Sequence, residues 1–137
     1  MKCLTIRQPH VAAIFAGLKP FETRTWSTNY RGPLAIHAAV NLDRDKLFDW
    51  MNGVWPDWAE RLMRKGFDAR STAIGAVVGT VELVSCVPVE IIPRSARDWG
   101  DFSPGRWAWR LRDHHLLDEP VLARGRLGLW NWDVALP

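Results

Sequence analysis

No apolar run in this 137-residue sequence approaches the length needed to span a bilayer; stretches such as Ala76-Val77-Val78 are far too short. The opening residues, MKCLTIRQPH, lack the apolar segment of a secretory signal. Cysteine is scarce: Cys3 and Cys86 form neither a CxxC pair nor a metal-ligand spacing. Nucleophile elbow, Walker loop and zinc signature are all missing, and the serines have no motif around them. The expectation is a cytoplasmic, reduced protein with no membrane partner, no metal and no cofactor. Lysine is also scarce. Only Lys2, Lys19, Lys46 and Lys65 are lysines among the 18 cations, so arginine dominates. Tyrosine occurs once, against nine tryptophans.

What is present is ordinary for a globular domain: 47% hydrophobic and 24% charged residues. One domain over residues 1–137 fits this length, and a chain of this size buries about two-thirds of its surface on folding. The net charge of +3 is compatible with a polyanionic partner without establishing one.

Periodicity predicts an α+β fold. Leu4–Ile6 reads as a strand. Pro9 then opens a helix over 9–17, with Val11, Ile14, Phe15 and Leu18 on one stripe. Strands follow over Phe21–Trp26 and Leu34–Ala38. Helices are predicted at 41–53, with Asp43 and Asp45 complementing its dipole, and at 56–66. Further strands are expected at Ile74–Val84, Arg106–Arg112 and Leu127–Val134, with a long connection from Val87 to Gly105. Gly75 and Gly79 mark bends or bulges. The sum is a small barrel of about five or six strands with about three helices packed outside.

The segment Gly17 to Trp26 concentrates the chemistry. Glu22 and Arg24 lie at i, i+2 on a strand, so their side chains leave one face, and Lys19 at the preceding turn can reach the same space. A carboxylate accepts from an exocyclic amine, an indole such as Trp26 stacks on a base, and a guanidinium holds a phosphate or carbonyl oxygen. An exposed ion pair and a buried indole would give the same pattern. His37, between Ala35 and Ala39, is either a hydrogen-bonded core histidine or a pocket-lining group. Arg106, Arg110 and Arg112 share one strand face and form either a phosphate stripe or a solvated surface. The pairs Trp107/Trp109 and Trp130/Trp132 read as structural. The adjacent His114 and His115 point apart and do not read as a metal site.

Gly17-x-Lys19-x-x-Glu22-x-Arg24 resembles the G-x-K-x-x-E/T-x-R signature of the ASCH domain, a PUA-like family. The flanking Leu4–Pro9, Tyr30–Ala38 and Gly75–Leu83 blocks resemble its other elements, and Trp107–Trp109 and Gly125–Trp130 its closing strands. The resemblance implies a PUA-like β-barrel, a cleft beside the first helix, and binding of RNA or a modified nucleobase. The candidate binding residues are Lys19, Glu22, Arg24, Trp26, Tyr30, Arg31 and His37, with Arg31 on phosphates. A bacterial subgroup of the family hydrolyses the amide of N4-acetylcytidine with the signature Lys, a Thr and a distant Glu, and ribonuclease activity is proposed for other members. Lys19 matches that Lys, but Glu22 occupies the Thr position, while Thr23 and Thr25 sit on the opposite strand face. Glu82 and Glu90 are candidates for the distant Glu.

Three functions follow as expectations. The first is an RNA or modified-base binding module. The second is a small hydrolase on N4-acylated cytidines or single-stranded RNA, with Lys19, Glu22 and Arg24 as its catalytic groups. The third is a protein-interaction barrel using the tryptophans as contact surface.

Overall fold

The computed structural model describes residues 1–45, 60, 61, 64, 65 and 68–133. Six strands and a short helix organise them: β1 (Lys2–Ile6), α1 (His10–Phe15), β2 (Phe21–Arg24), β3 (Gly32–Ala38), β4 (Ala76–Pro88), β5 (Trp107–Leu122) and β6 (Leu129–Asn131). The strands form one curled sheet, a half-barrel, in the order β2-β5-β4-β3-β1-β6. β1 and β3 run parallel, and every other pair is antiparallel.

Two expectations are corrected. The described residues hold one bounded α-helix and two 3-10 turns, Val89–Ile91 and Arg94–Ala96, not three helices. Prolines 88 and 93 cap those turns and set their extended entries, which keeps the Val87–Gly105 connection from winding further. The helices expected at 41–53 and 56–66 lie mostly outside the described residues. The barrel is also not closed: β2, with four residues, and β6, with three, are the sheet's two edges.

Strand alternation divides the side chains. Leu4, Ile6, Leu34, Ile36, Leu83, Trp109 and Leu111 point inward and meet Val11 and Ile14 of α1 in the main core. Their neighbours Cys3, Ala35 and Val77 point the other way and pack with Trp130 and Trp132. Phe21 and Ala108 form a smaller cluster with Val89 and Ile92, which fastens the 3-10 turns onto the β2–β5 edge.

β5 runs ten residues past the predicted end at Arg112, because pairing to β4 continues to Ala76↔Leu122 despite the polar run Arg112–His115. Register shifts absorb the mismatch, one of them between Val77 and Gly79. Gly79 is required there: a Cβ would lie 2.3 Å from the His115 carbonyl oxygen and 2.6 Å from the Phe15 ring. Gln8 joins distant segments. Its amide donates to the carbonyls of Ser71 at 2.5 Å and Ala73 at 3.0 Å and accepts from the Ala12 N–H at 3.1 Å.

Candidate ligand cleft

A cleft of 1270 Å³ opens beside α1. Its floor comes from the α1–β2 turn and β2, one wall from Ala39–Asp45, and another from Gly100, Asp101 and Arg106.

Strand alternation sends Phe21 into its apolar cluster and turns Glu22 and Arg24 toward the cleft. The turn after α1 delivers Lys19 to the same place. Its Nζ lies 3.5 Å from Glu22 Oε1, with both side chains at least nine-tenths buried, and donates to the Trp99 carbonyl at 3.4 Å. Glu22 Oε1 also accepts the Thr23 N–H at 3.0 Å, while Oε2 faces Arg24 Nε at 3.9 Å. Arg24 donates from Nη2 to the Thr5 carbonyl at 2.6 Å. That bond ties β2 to β1 across the open seam, one residue past the point where β6 stops pairing.

The carboxyl of Glu22 feels opposing forces. Burial pushes it up, but Lys19, then Arg24, His10 and the Thr23 N–H together outweigh burial and hold it below its ordinary value. It is a carboxylate at neutral pH.

A second polar pair lies in the same cleft. His10 Nε2 is 2.7 Å from Asp43 Oδ2, and the ring packs edge-on against Trp99 at 5.9 Å between centroids. Burial lowers the His10 proton affinity and Lys19 pushes the same way; the bond to Asp43 opposes them without prevailing. The imidazole is therefore neutral near pH 7. At the rim, Arg106 donates to the Asp101 carbonyl at 2.9 Å and the Thr23 carbonyl at 3.0 Å. Exposed Val40 and Leu42 give the opposite wall an apolar surface.

Gly100 completes the contact between wall and floor. Its φ is +112°, and a Cβ would stand 2.9 Å from Lys19 Nζ. The positive φ favours glycine here, and a side chain would also push the lysine ammonium aside.

Of the residues nominated from sequence, the structure brings Lys19, Glu22 and Arg24 together in the cleft. It places the others elsewhere. Trp26 packs edge-on against Trp109, 4.7 Å between centroids, and accepts the Trp109 indole N–H on its carbonyl at 3.3 Å. Tyr30 donates its hydroxyl to the Pro33 carbonyl. Arg31 bonds the local carbonyls of Thr28 and Tyr30, at 2.9 and 2.7 Å. His37 is buried against Trp130 and bonds the Ala123 carbonyl at 2.7 Å. None of these four lines the cleft. The arginine row also divides: Arg106 reaches the cleft, Arg110 lies over the Phe21 ring, and exposed Arg112 faces Asp113. Glu82 and Glu90 do not line the cleft either; Glu90 accepts the Gly105 N–H at 2.9 Å.

Sequence reasoning missed His10, Gly100 and the pairing role of Asp43. His10 carries a usable signal, a titratable residue directly after the strand-ending Gln8-Pro9. Asp43 reads from sequence as a helix-dipole residue, and its partner lies 33 residues away. Among the described residues no group of His, Cys, Asp and Glu is arranged to hold a metal, and no helix is long and apolar enough to cross a membrane.

Fold and cleft together define a small half-barrel module with a buried ion pair at the floor of a polar pocket. The ASCH domain profile matches residues 4–103, and the chain belongs to that family, which is associated in general with RNA binding. β5 and β6 lie beyond the matched span. No curated protein matches the chain.

Proposed function

We propose that this protein binds RNA or a modified nucleobase, with one unstacked base held in the cleft beside α1. The observation that carries this is the Lys19–Glu22–Arg24 row, two of its members nearly inaccessible to water, on the floor of an open cleft. Buried charges are costly to maintain and do little for stability relative to apolar packing. A base edge, with donors and acceptors side by side, uses both signs. Stacking falls to the apolar wall at Val40 and Leu42, since Trp26 is engaged with Trp109.

Binding of a short single-stranded RNA, titrated with salt, tests this. Affinity falls linearly with salt on a log–log plot, and replacing exposed Arg7 at the rim lowers the slope by about one unit or less. No measurable binding at low salt overturns the proposal.

One observation favours a hydrolase as the second reading. A carboxylate, a buried cation and a neutral imidazole share the cleft, which suits attack of water on an amide. Incubation with N4-acylated cytidines, followed by chromatography, decides it. Product formed by the wild type and lost in Lys19→Ala establishes hydrolysis; no product leaves base binding alone.

A further inference from the structure

We propose that His10 determines specificity in the cleft, and that the base admitted there carries an exocyclic amino group. This rests on the base-binding reading and narrows it. The cleft presents two acceptors. One is Glu22, whose Oε2 faces Arg24 Nε at 3.9 Å. The other is His10. Its Nε2 lies 2.7 Å from the Asp43 carboxylate, an acceptor, so the ring proton sits on Nε2 and Nδ1 keeps its lone pair. That Nδ1 is covered and has no hydrogen-bond partner among the described residues.

Arg24 Nε is a second cleft atom in the same condition, this one a donor. Buried polar atoms left without hydrogen bonds are uncommon, because each forfeits its hydration with nothing in return. Two in one cleft, of opposite polarity, describe a missing ligand edge. An exocyclic –NH2 offers two N–H groups from one nitrogen, one for Glu22 and one for His10. The ring nitrogen beside the amine in cytosine or adenine is an acceptor for Arg24 Nε. Uracil offers a single N–H flanked by carbonyl oxygens, which would oppose one of the two protein acceptors. Nδ1 and Arg24 Nε are both covered in this structure, so contact requires the imidazole edge and the guanidinium, on side chains 14% and 27% exposed, to shift as the base enters.

The test is fluorescence anisotropy with two labelled tetranucleotides, tetrauridylate and the same strand with one central cytidine. Both are pyrimidine strands of equal charge, so phosphate contacts cancel. Wild-type protein binds the cytidine strand about tenfold tighter, the scale of one hydrogen bond gained and one mismatch avoided. His10→Phe keeps a ring against Trp99 but no acceptor, and the ratio falls to within about twofold. Asp43→Asn lets either imidazole tautomer form and also lowers the ratio; it carries the test if His10→Phe does not fold. Equal wild-type affinity for the two strands, or a ratio unchanged in Asp43→Asn, overturns the inference while leaving base binding in place. Binding of neither strand overturns both.

Discussion

Replacing Lys19 with methionine isolates the energetic centre of the cleft. The substitution keeps an unbranched side chain, one atom shorter, in place beside Trp99 while removing the charge. Glu22 is then a buried carboxylate whose remaining cation, Arg24, is 3.9 Å away and already committed to the Thr5 carbonyl. At 3.5 Å the lost attraction is worth about 5 kcal/mol with an effective dielectric of about 20. Breaking buried pairs by deleting one partner costs about 3–5 kcal/mol. Lys19→Met is therefore expected to lower stability by about 3–4 kcal/mol and the melting temperature by about 10–15 °C. Adding Glu22→Gln removes the stranded charge and recovers about half or more of the loss, a coupling readable in a double-mutant cycle. Chemical denaturation of the four proteins is the assay. A Lys19→Met variant within about 0.5 kcal/mol of the wild type would refute the reasoning, because a solvated ion pair behaves that way.

Further outcomes follow from the same geometry. Glu22 has a depressed pKa in the fold, so its stabilisation is present above its unfolded value and is lost as pH falls through the folded one; acid unfolding of the wild type, but not of Glu22→Gln, carries that component. His10 also has a lowered pKa, so the unfolded chain binds the extra proton first, and stability declines as pH falls from the ordinary histidine range toward the folded value, a slope that His10→Phe removes. Gly79→Ala drives a Cβ into the His115 carbonyl and is expected to cost about 2–4 kcal/mol in denaturation. Gln8→Ala strips three hydrogen bonds, two of them buried, and is expected to cost about 2–3 kcal/mol, with faster amide exchange around Ser71 and Ala73.

Much of this molecule was legible in the residues. The i, i+2 placement of Glu22 and Arg24 puts them on a shared strand face, and the short turn allows Lys19 to reach the same space; both contacts exist. Alternation in Trp107–Arg112 correctly separated the core tryptophans from the arginines. The failures have physical causes. β5 was cut short at Arg112 because a polar run reads as a loop, whereas hydrogen bonding to β4 holds it as a strand. Local pattern leaves Trp26 open between a stacking platform and a core indole; Trp109, from a strand 83 residues on, packs against its ring and bonds its carbonyl. The His10–Asp43 pair is likewise a product of tertiary folding, which brings the end of β1 against the segment after β3.

The location of RNA on the protein tests the account most directly. Backbone amide chemical shifts, followed while a cytidine-containing tetranucleotide is titrated in, report every contact surface at once. The account predicts that the largest shifts fall at Lys19, Glu22, Arg24, Asp43 and Gly100, with His37, Trp130 and Arg112 unmoved. Shifts centred on the outer face of β5, or no shifts at all, would contradict it.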